Sequence, residues 1–139
     1  MSTEIRPELS KKNEFYIPRE RFLELKHFCR QYDLWQKMLT SWTNLYTKSI
    51  VNAEKLGHDV LDVTGKTAEY REKYLNKINM IQQAARLADD EIYDILLDGV
   101  TKGLSYNTMN IRRGGLPFSS EYYYSRYRKF FYILNGLRD

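Results

Sequence analysis

The last third of this 139-residue chain places large apolar side chains at the spacing of a single helix face. Residues at i, i+4, i+7 or i+8 and i+11 line one side of an α-helix, and an aromatic stripe of this kind usually faces a core. The spacing therefore predicts a long final helix, from Ser120 to about Leu137, that packs against the rest of the chain. The members of the stripe are Tyr123, Tyr127, Phe130 or Phe131, and Leu134.

Residues that start and stop helices divide the stretch before this final helix. Gly103 suits the left-handed conformation that closes a helix, and Ser105 suits the N-cap of a short helix after it. Gly114 and Gly115 end that short helix, and Ser119 suits the N-cap of the final helix. A short helix, a glycine turn and a long helix together predict a helix-turn-helix.

A second face of the final helix carries hydroxyl groups and cations near its N-terminus, and two arginines lie in the preceding turn. These groups suit phosphate oxygens and base edges in a major groove, so we predict that they bind nucleic acid. The alternative is an ordinary solvated helix face. The predicted nucleic-acid-binding residues are Arg112, Arg113, Ser119, Ser120, Tyr122, Ser125, Arg126 and Lys129.

The charge of the chain is concentrated in the same segment. Residues 102–139 hold seven cations and two acids, which gives a net charge of +5, whereas residues 1–101 hold 15 cations and 16 acids. The whole excess of +4 therefore comes from the predicted helix-turn-helix and its flanks. A basic segment of this kind is the electrostatic footprint of phosphate binding.

The composition indicates an all-α protein without a membrane span or a disulfide. Glycine and proline are sparse, with 7 and 3 residues, and no segment alternates apolar and polar side chains for long. Cys29 is the only cysteine, which fits a reducing compartment. The N-terminus lacks the apolar segment of a signal peptide, and no apolar run is long enough for a membrane span. We therefore expect a cytoplasmic location.

No motif of catalysis or metal binding is found in the sequence. His27 and Cys29 are two residues apart on a predicted helix, so they point to different faces and are poorly placed as ligands. Phosphate-binding loops, nucleophile elbows and zinc-protease motifs are missing. We predict that the protein is not an enzyme and that it uses no metal and no cofactor.

The order of the patterns predicts four segments. Residues 1–16 form a flexible arm, residues 17–46 a helical hairpin, residues 47–66 a linker or loop, and residues 67–139 a helical domain that ends in the helix-turn-helix. Thr67 is expected to cap a long helix to about Leu87, and Asp89 or Asp90 to start the next one. The first hairpin helix should bury Phe22, Leu25, Phe28 or Cys29, and Tyr32. After a cap at Asp33, the second should bury Leu34, Met38, Trp42 and Leu45, with Trp35 and Leu39 alongside.

Acidic residues cluster just before the basic segment. The simplest interpretation is a solvated, solubilising surface. The alternative is a contact surface for a basic partner, because closely spaced carboxylates can mimic the phosphates of nucleic acid. The residues of this alternative partner-binding surface are Asp90, Glu91, Asp94 and Asp98.

Several stretches of the sequence resemble small proteins of Gram-positive prophages. These stretches are YIPRERFLELKHFCRQYDLW, YLNKINMIQQAA, EIYDILLDGVTKGLSYNTM and PFSSEYYYSRYRKFFYIL. The chain is similar to late-transcription regulators of the ArpU and RinA type, whose C-terminal part resembles the helix-turn-helix of sigma-factor region 4. The resemblance implies a DNA-reading final helix with basic arginines and a location in a bacterial host cell. The GGLPF turn is longer than that of an ideal helix-turn-helix.

Three functions are compatible with these features. The first is a phage or prophage transcription regulator that binds double-stranded DNA, with a hairpin that forms a homodimer or contacts RNA polymerase. The second is a phage-encoded inhibitor of a host defence nucleoprotein, of the anti-CRISPR type, which would bind a CRISPR effector complex through protein or guide RNA. The third is a helical adaptor whose tyrosines and tryptophans mark a protein interface.

Overall fold

A computed structural model describes residues 13–41 and 60–138, with side chains at 13–41 and 68–138, and every regular element in these ranges is a helix. This result confirms the predicted all-α class. Most of the predicted arm, together with Trp42, Leu45 and residues 47–59, lies outside the described residues. The helices are α1 (Arg19–Arg30), α2 (32–41), α3 (Val60–Asp89), α4 (Tyr93–Lys102), α5 (Tyr106–Arg112) and α6 (Ser120–Arg138).

The chain divides into two compact units. Residues 1–31 and 80–139 form the first unit, and residues 32–79 form the second. The four segment boundaries predicted from the sequence stay predictions. No helix in the described part of the chain combines the length and the apolar character that crossing a membrane requires.

The core of the first unit is built around α6. This helix contacts α1, α4 and α5, and α1 also contacts α4. Aromatic rings meet edge to face inside this core, with centroids 5.0 Å apart for Phe22 and Phe131 and 4.8 Å apart for Tyr127 and Phe131. The predicted stripes of α1 and α6 are confirmed, because their members are buried: Phe22, Leu25, Phe28, Cys29, Tyr123, Tyr127, Phe130, Phe131 and Leu134.

The predicted caps around α5 are confirmed. Gly103 closes α4 in the left-handed conformation, with φ of 66°, and the amide of Leu104 donates to the Gly99 carbonyl at 3.1 Å. The Ser105 hydroxyl accepts from the Thr108 amide at 3.1 Å and thereby caps the N-terminus of α5. In the same way, the hydroxyl of Ser119 accepts from the Tyr122 amide at 3.1 Å at the start of α6.

Three predicted helix starts are wrong. The helix α2 begins at residue 32, so Asp33 lies inside it and does not cap it. The helix α3 begins at Val60, so the predicted loop is helical from residue 60 onwards and Thr67 lies inside the helix. A single glycine, Gly65, costs a helix only about 1 kcal/mol and does not have to end it. Asp89 ends α3 instead of starting α4, which begins at Tyr93.

In the second unit, the buried face of α2 differs from the predicted one. Trp35 is buried, whereas Leu34 is 53% exposed, so the prediction for Leu34 is wrong. The two residues are about 100° apart on a helix, and the larger indole takes the inward position. The ammonium group of Lys77 lies 5.4 Å from the centroid of the Trp35 ring and 5.5 Å from that of Tyr74, which gives cation–π contacts.

Cys29 should be chemically inert in the native protein. Its side chain is buried, and burial raises the pKa of the thiol, an effect only partly offset by the positive charge of Arg138. The thiolate is the reactive form, so a disulfide reagent at neutral pH should label native Cys29 at least about a hundredfold more slowly than the denatured chain. Equal labelling rates with and without denaturant would contradict this prediction.

Candidate nucleic-acid interface

The connection between α5 and α6 is longer than that of an ideal helix-turn-helix. Residues 113–119 separate the two helices, whereas the motif has a turn of three to four residues. A three-residue connection, 103–105, joins α4 to α5. The C-terminal helix-turn-helix therefore stays a prediction, with α5 and α6 as its two helices.

Hydrogen bonds from Asn110 close this long connection. Its backbone carbonyl accepts from the Gly115 amide at 2.8 Å, and its side-chain oxygen accepts from the Leu116 amide at 2.6 Å. Gly114 and Gly115 have φ of 72° and 112°, values that side-chain-bearing residues rarely adopt. The connection therefore has a fixed shape. No sequence pattern predicted that Asn110 would close it.

Two tyrosines hold the start of α5 against the start of α6. The Tyr106 hydroxyl donates to the carbonyl of Phe118, and the Tyr106 amide donates to the Tyr124 hydroxyl at 3.2 Å. The rings of Tyr106 and Phe118 are also close, with centroids 6.2 Å apart. These contacts fix the N-terminus of α6, the end that a reading helix presents to DNA.

The predicted pair Tyr122 and Arg126 meets a carboxylate at the end of α3. The Tyr122 hydroxyl donates to Asp89, whose side chain is only 10% exposed. The Arg126 Nε lies 3.3 Å from Asp89 Oδ2 as an ion pair, and its guanidinium lies 4.9 Å from the centroid of the Tyr122 ring. A hydrogen bond with Tyr122 is the main cause that raises the pKa of Arg126, and the nearby Asp89 carboxylate raises it further. The guanidinium therefore stays charged. Contact of Tyr122 and Arg126 with DNA stays a prediction.

The predicted turn residue Arg113 is bound to α4. Its guanidinium lies 2.6 Å from Asp98, and the ammonium group of Lys102 lies 3.2 Å from the same carboxylate. Asp98, a member of the predicted acidic surface, is therefore part of the support of the basic turn. Another member, Asp90, pairs with Arg86 at 3.1 Å. The two acids that remain, Glu91 and Asp94, are exposed.

The other predicted residues have different surroundings. Ser119 is the cap of α6, Ser120 is half-buried, and the Ser125 hydroxyl donates to the Tyr122 carbonyl at 2.7 Å. Arg112 is exposed and Lys129 is half-buried, and neither has an ion-pair partner among the residues that the structure describes.

One cation that the sequence reasoning missed is Arg128. It lines a cleft of about 410 Å³ together with Ser125 and the N-terminal residues 13–15. Its Nε is buried without a hydrogen-bond partner, and no carboxylate in the described ranges forms an ion pair with it. Arg128 lies two residues from Arg126 and therefore on another face of α6, which is why the pattern around Tyr122 did not include it.

The acids of the first unit thus neutralise only part of its cations. Asp89 pairs with Arg126, and Asp98 is shared by Arg113 and Lys102, whereas Arg112, Arg128 and Lys129 form no ion pair within the described ranges. All three lie on α5 or α6. Positive charge therefore remains where the sequence concentrates it.

Neither a metal site nor similarity to a known protein adds to the description of this candidate interface. No three His, Cys, Asp or Glu side chains come together as a metal site at residues 13–41 or 68–138. A comparison of the chain with protein-family models, curated proteins and solved structures finds no match.

Proposed function

We propose that this protein binds double-stranded DNA through α5, α6 and the connection between them, and that it acts as a transcription regulator of the phage type. The observation that carries the proposal is the uncompensated charge: the basic segment keeps Arg112, Arg128 and Lys129 without acidic partners in the described part of the chain. Unpaired cations on adjacent helices attract phosphates, and release of counterions from DNA then contributes to affinity.

The fixed geometry of the α6 N-terminus also supports the proposal. A reading helix must be held firmly before binding, because every degree of freedom lost on binding weakens the complex. Tyr106 and Tyr124 join the ends of α5 and α6, and Asp89 holds the first two turns of α6 through Tyr122 and Arg126. In this arrangement Arg126 positions α6, while Arg112, Arg128 and Lys129 bind phosphates.

Removal of two of these three cations should weaken binding to all DNA sequences alike. The variant Arg112→Gln with Lys129→Gln should lower the slope of log affinity against log salt by about two, because each phosphate contact contributes about one. Fluorescence anisotropy with a random duplex at several salt concentrations measures this slope. The charge-matched control is Arg71→Gln with Lys73→Gln, two exposed cations of α3. An equal loss of slope in both variants would contradict the assignment.

The anti-CRISPR alternative depends on the acidic surface and is separable from DNA binding. Asp98 supports the basic turn, so its reversal would disturb both functions. Glu91 and Asp94 are exposed, and the variant Glu91→Lys with Asp94→Lys is therefore the better test. Inhibition of a CRISPR effector that this variant loses, with DNA binding unchanged, would favour the alternative.

A further inference from the structure

The end of α5 exposes an apolar side chain within the basic segment. Ile111 is 79% exposed, more than any other large apolar side chain in the described ranges. Residues 111–115, which we call the tip, are all exposed. A single exposed apolar residue is common on protein surfaces, so the surroundings of Ile111 decide what it indicates.

The surroundings of Ile111 are cationic and sterically open. Arg112 is exposed and has no ion-pair partner in the described part of the chain. At Gly114 and Gly115, no atom outside the adjacent residues lies within 4 Å of the position that a Cβ would occupy, so this side of the tip backbone is open. A partner can therefore approach the main chain closely, and the charge of Arg112 favours an anionic partner.

The tip is also held in one conformation. The two hydrogen bonds to Asn110 close the connection, and the ion pair of Arg113 with Asp98, at 2.6 Å, fixes it to α4. A preorganised surface loses little conformational freedom when it binds. An apolar side chain held this way beside a free cation suits a groove with negative walls and apolar groups on its floor.

We propose that the tip enters a groove of double-stranded DNA, where Arg112 binds a backbone phosphate and Ile111 contacts base edges. The methyl group of thymine is the apolar group that the major groove offers, so Ile111 should favour a thymine at the contacted position. This inference rests on the proposed function, because it adds a specificity-determining residue to the same interface. It assigns base contact to α5 in addition to α6.

The test uses a duplex selected from a random pool by the wild-type protein. Ile111→Ala should weaken binding to this duplex about fiftyfold, since three buried carbon groups are lost, and should leave the salt slope unchanged. Uracil in place of the contacted thymine should weaken wild-type binding about fourfold, the contribution of one methyl group. The same replacement should leave binding by Ile111→Ala unchanged. Leu87→Ala, which truncates a 55% exposed side chain on α3, is the control.

The outcomes separate this inference from the proposed function. If the wild-type protein binds duplex DNA but Ile111→Ala binds as well as Leu87→Ala, the tip inference is wrong and the proposed function stands. A selected duplex that tolerates uracil at every thymine likewise overturns the inference alone. If the wild-type protein binds no duplex at low salt, the proposed function fails and the inference fails with it.

Discussion

Gly99→Ala should lower the free energy of unfolding by about 1–3 kcal/mol, the usual cost of overpacking a core. A Cβ at this position would lie 1.9 Å from the Tyr123 hydroxyl oxygen, 3.1 Å from Tyr123 Cζ and 3.2 Å from Met109 Cε. Tyr123 cannot move aside easily, because it is fully buried and its ring contacts that of Tyr124, with centroids 5.0 Å apart. Denaturant unfolding of the variant measures the loss.

A double-mutant cycle shows whether the Tyr123 hydroxyl causes this loss. That hydroxyl is buried without a hydrogen-bond partner, and burial raises the pKa of its phenol, so the group stays protonated. Tyr123→Phe alone should therefore change stability little or raise it. When Tyr123→Phe is combined with Gly99→Ala, at least about 1 kcal/mol of the lost stability should return, because the contact between the new Cβ and the Tyr123 hydroxyl disappears. Strictly additive effects would mean that α4 and α6 do not approach each other at Gly99 as described.

Asp89→Ala should destabilise the protein by about 1–3 kcal/mol, because it removes a buried acceptor and a charge partner together. The carboxylate accepts from the Tyr122 hydroxyl and from the Glu91 amide, and it forms an ion pair with Arg126. The Arg126 side chain is 34% exposed, so solvent screens part of that pair and the hydrogen bonds carry most of the effect.

Asp94→Ala is the matched control for this change. Asp94 is exposed and lies on α4, so its truncation should alter stability by no more than about 0.5 kcal/mol. Asp89→Asn, which keeps an acceptor oxygen but removes the charge, should fall between the two alanine variants. Thermal unfolding of the three proteins side by side gives the comparison. Equal stability of Asp89→Ala and Asp94→Ala would refute the link between α3 and α6.

The features that the sequence predicts correctly depend on short stretches of chain. Caps act over three or four residues, which is why Gly103, Ser105 and Ser119 could be assigned from their positions alone. The aromatic stripe of α6 is equally local, since its spacing repeats with the helix period. Helix starts that depend on packing, such as that of α3 at Val60, could not be read in this way.

The support of the candidate interface depends on long-range pairs that no local pattern reveals. Asp89 and Tyr122 are 33 residues apart, and Asp98 and Arg113 are 15 apart. The sequence therefore presented Asp98 as part of an acidic surface and Arg113 as a free cation, whereas the fold joins them. The net charge of the segment was predictable, but the cations left unpaired by the fold were not.

The central claim is that the C-terminal helices bind DNA through unpaired cations. The most direct measurement is an anisotropy titration of the wild-type protein against a random-sequence duplex at 50 and 200 mM salt. Contacts from Arg112, Arg128 and Lys129 should give a slope of log affinity against log salt of about −3. This slope corresponds to roughly a fiftyfold loss of affinity between the two conditions. No binding at 50 mM salt, or affinity that does not change with salt, would contradict the account.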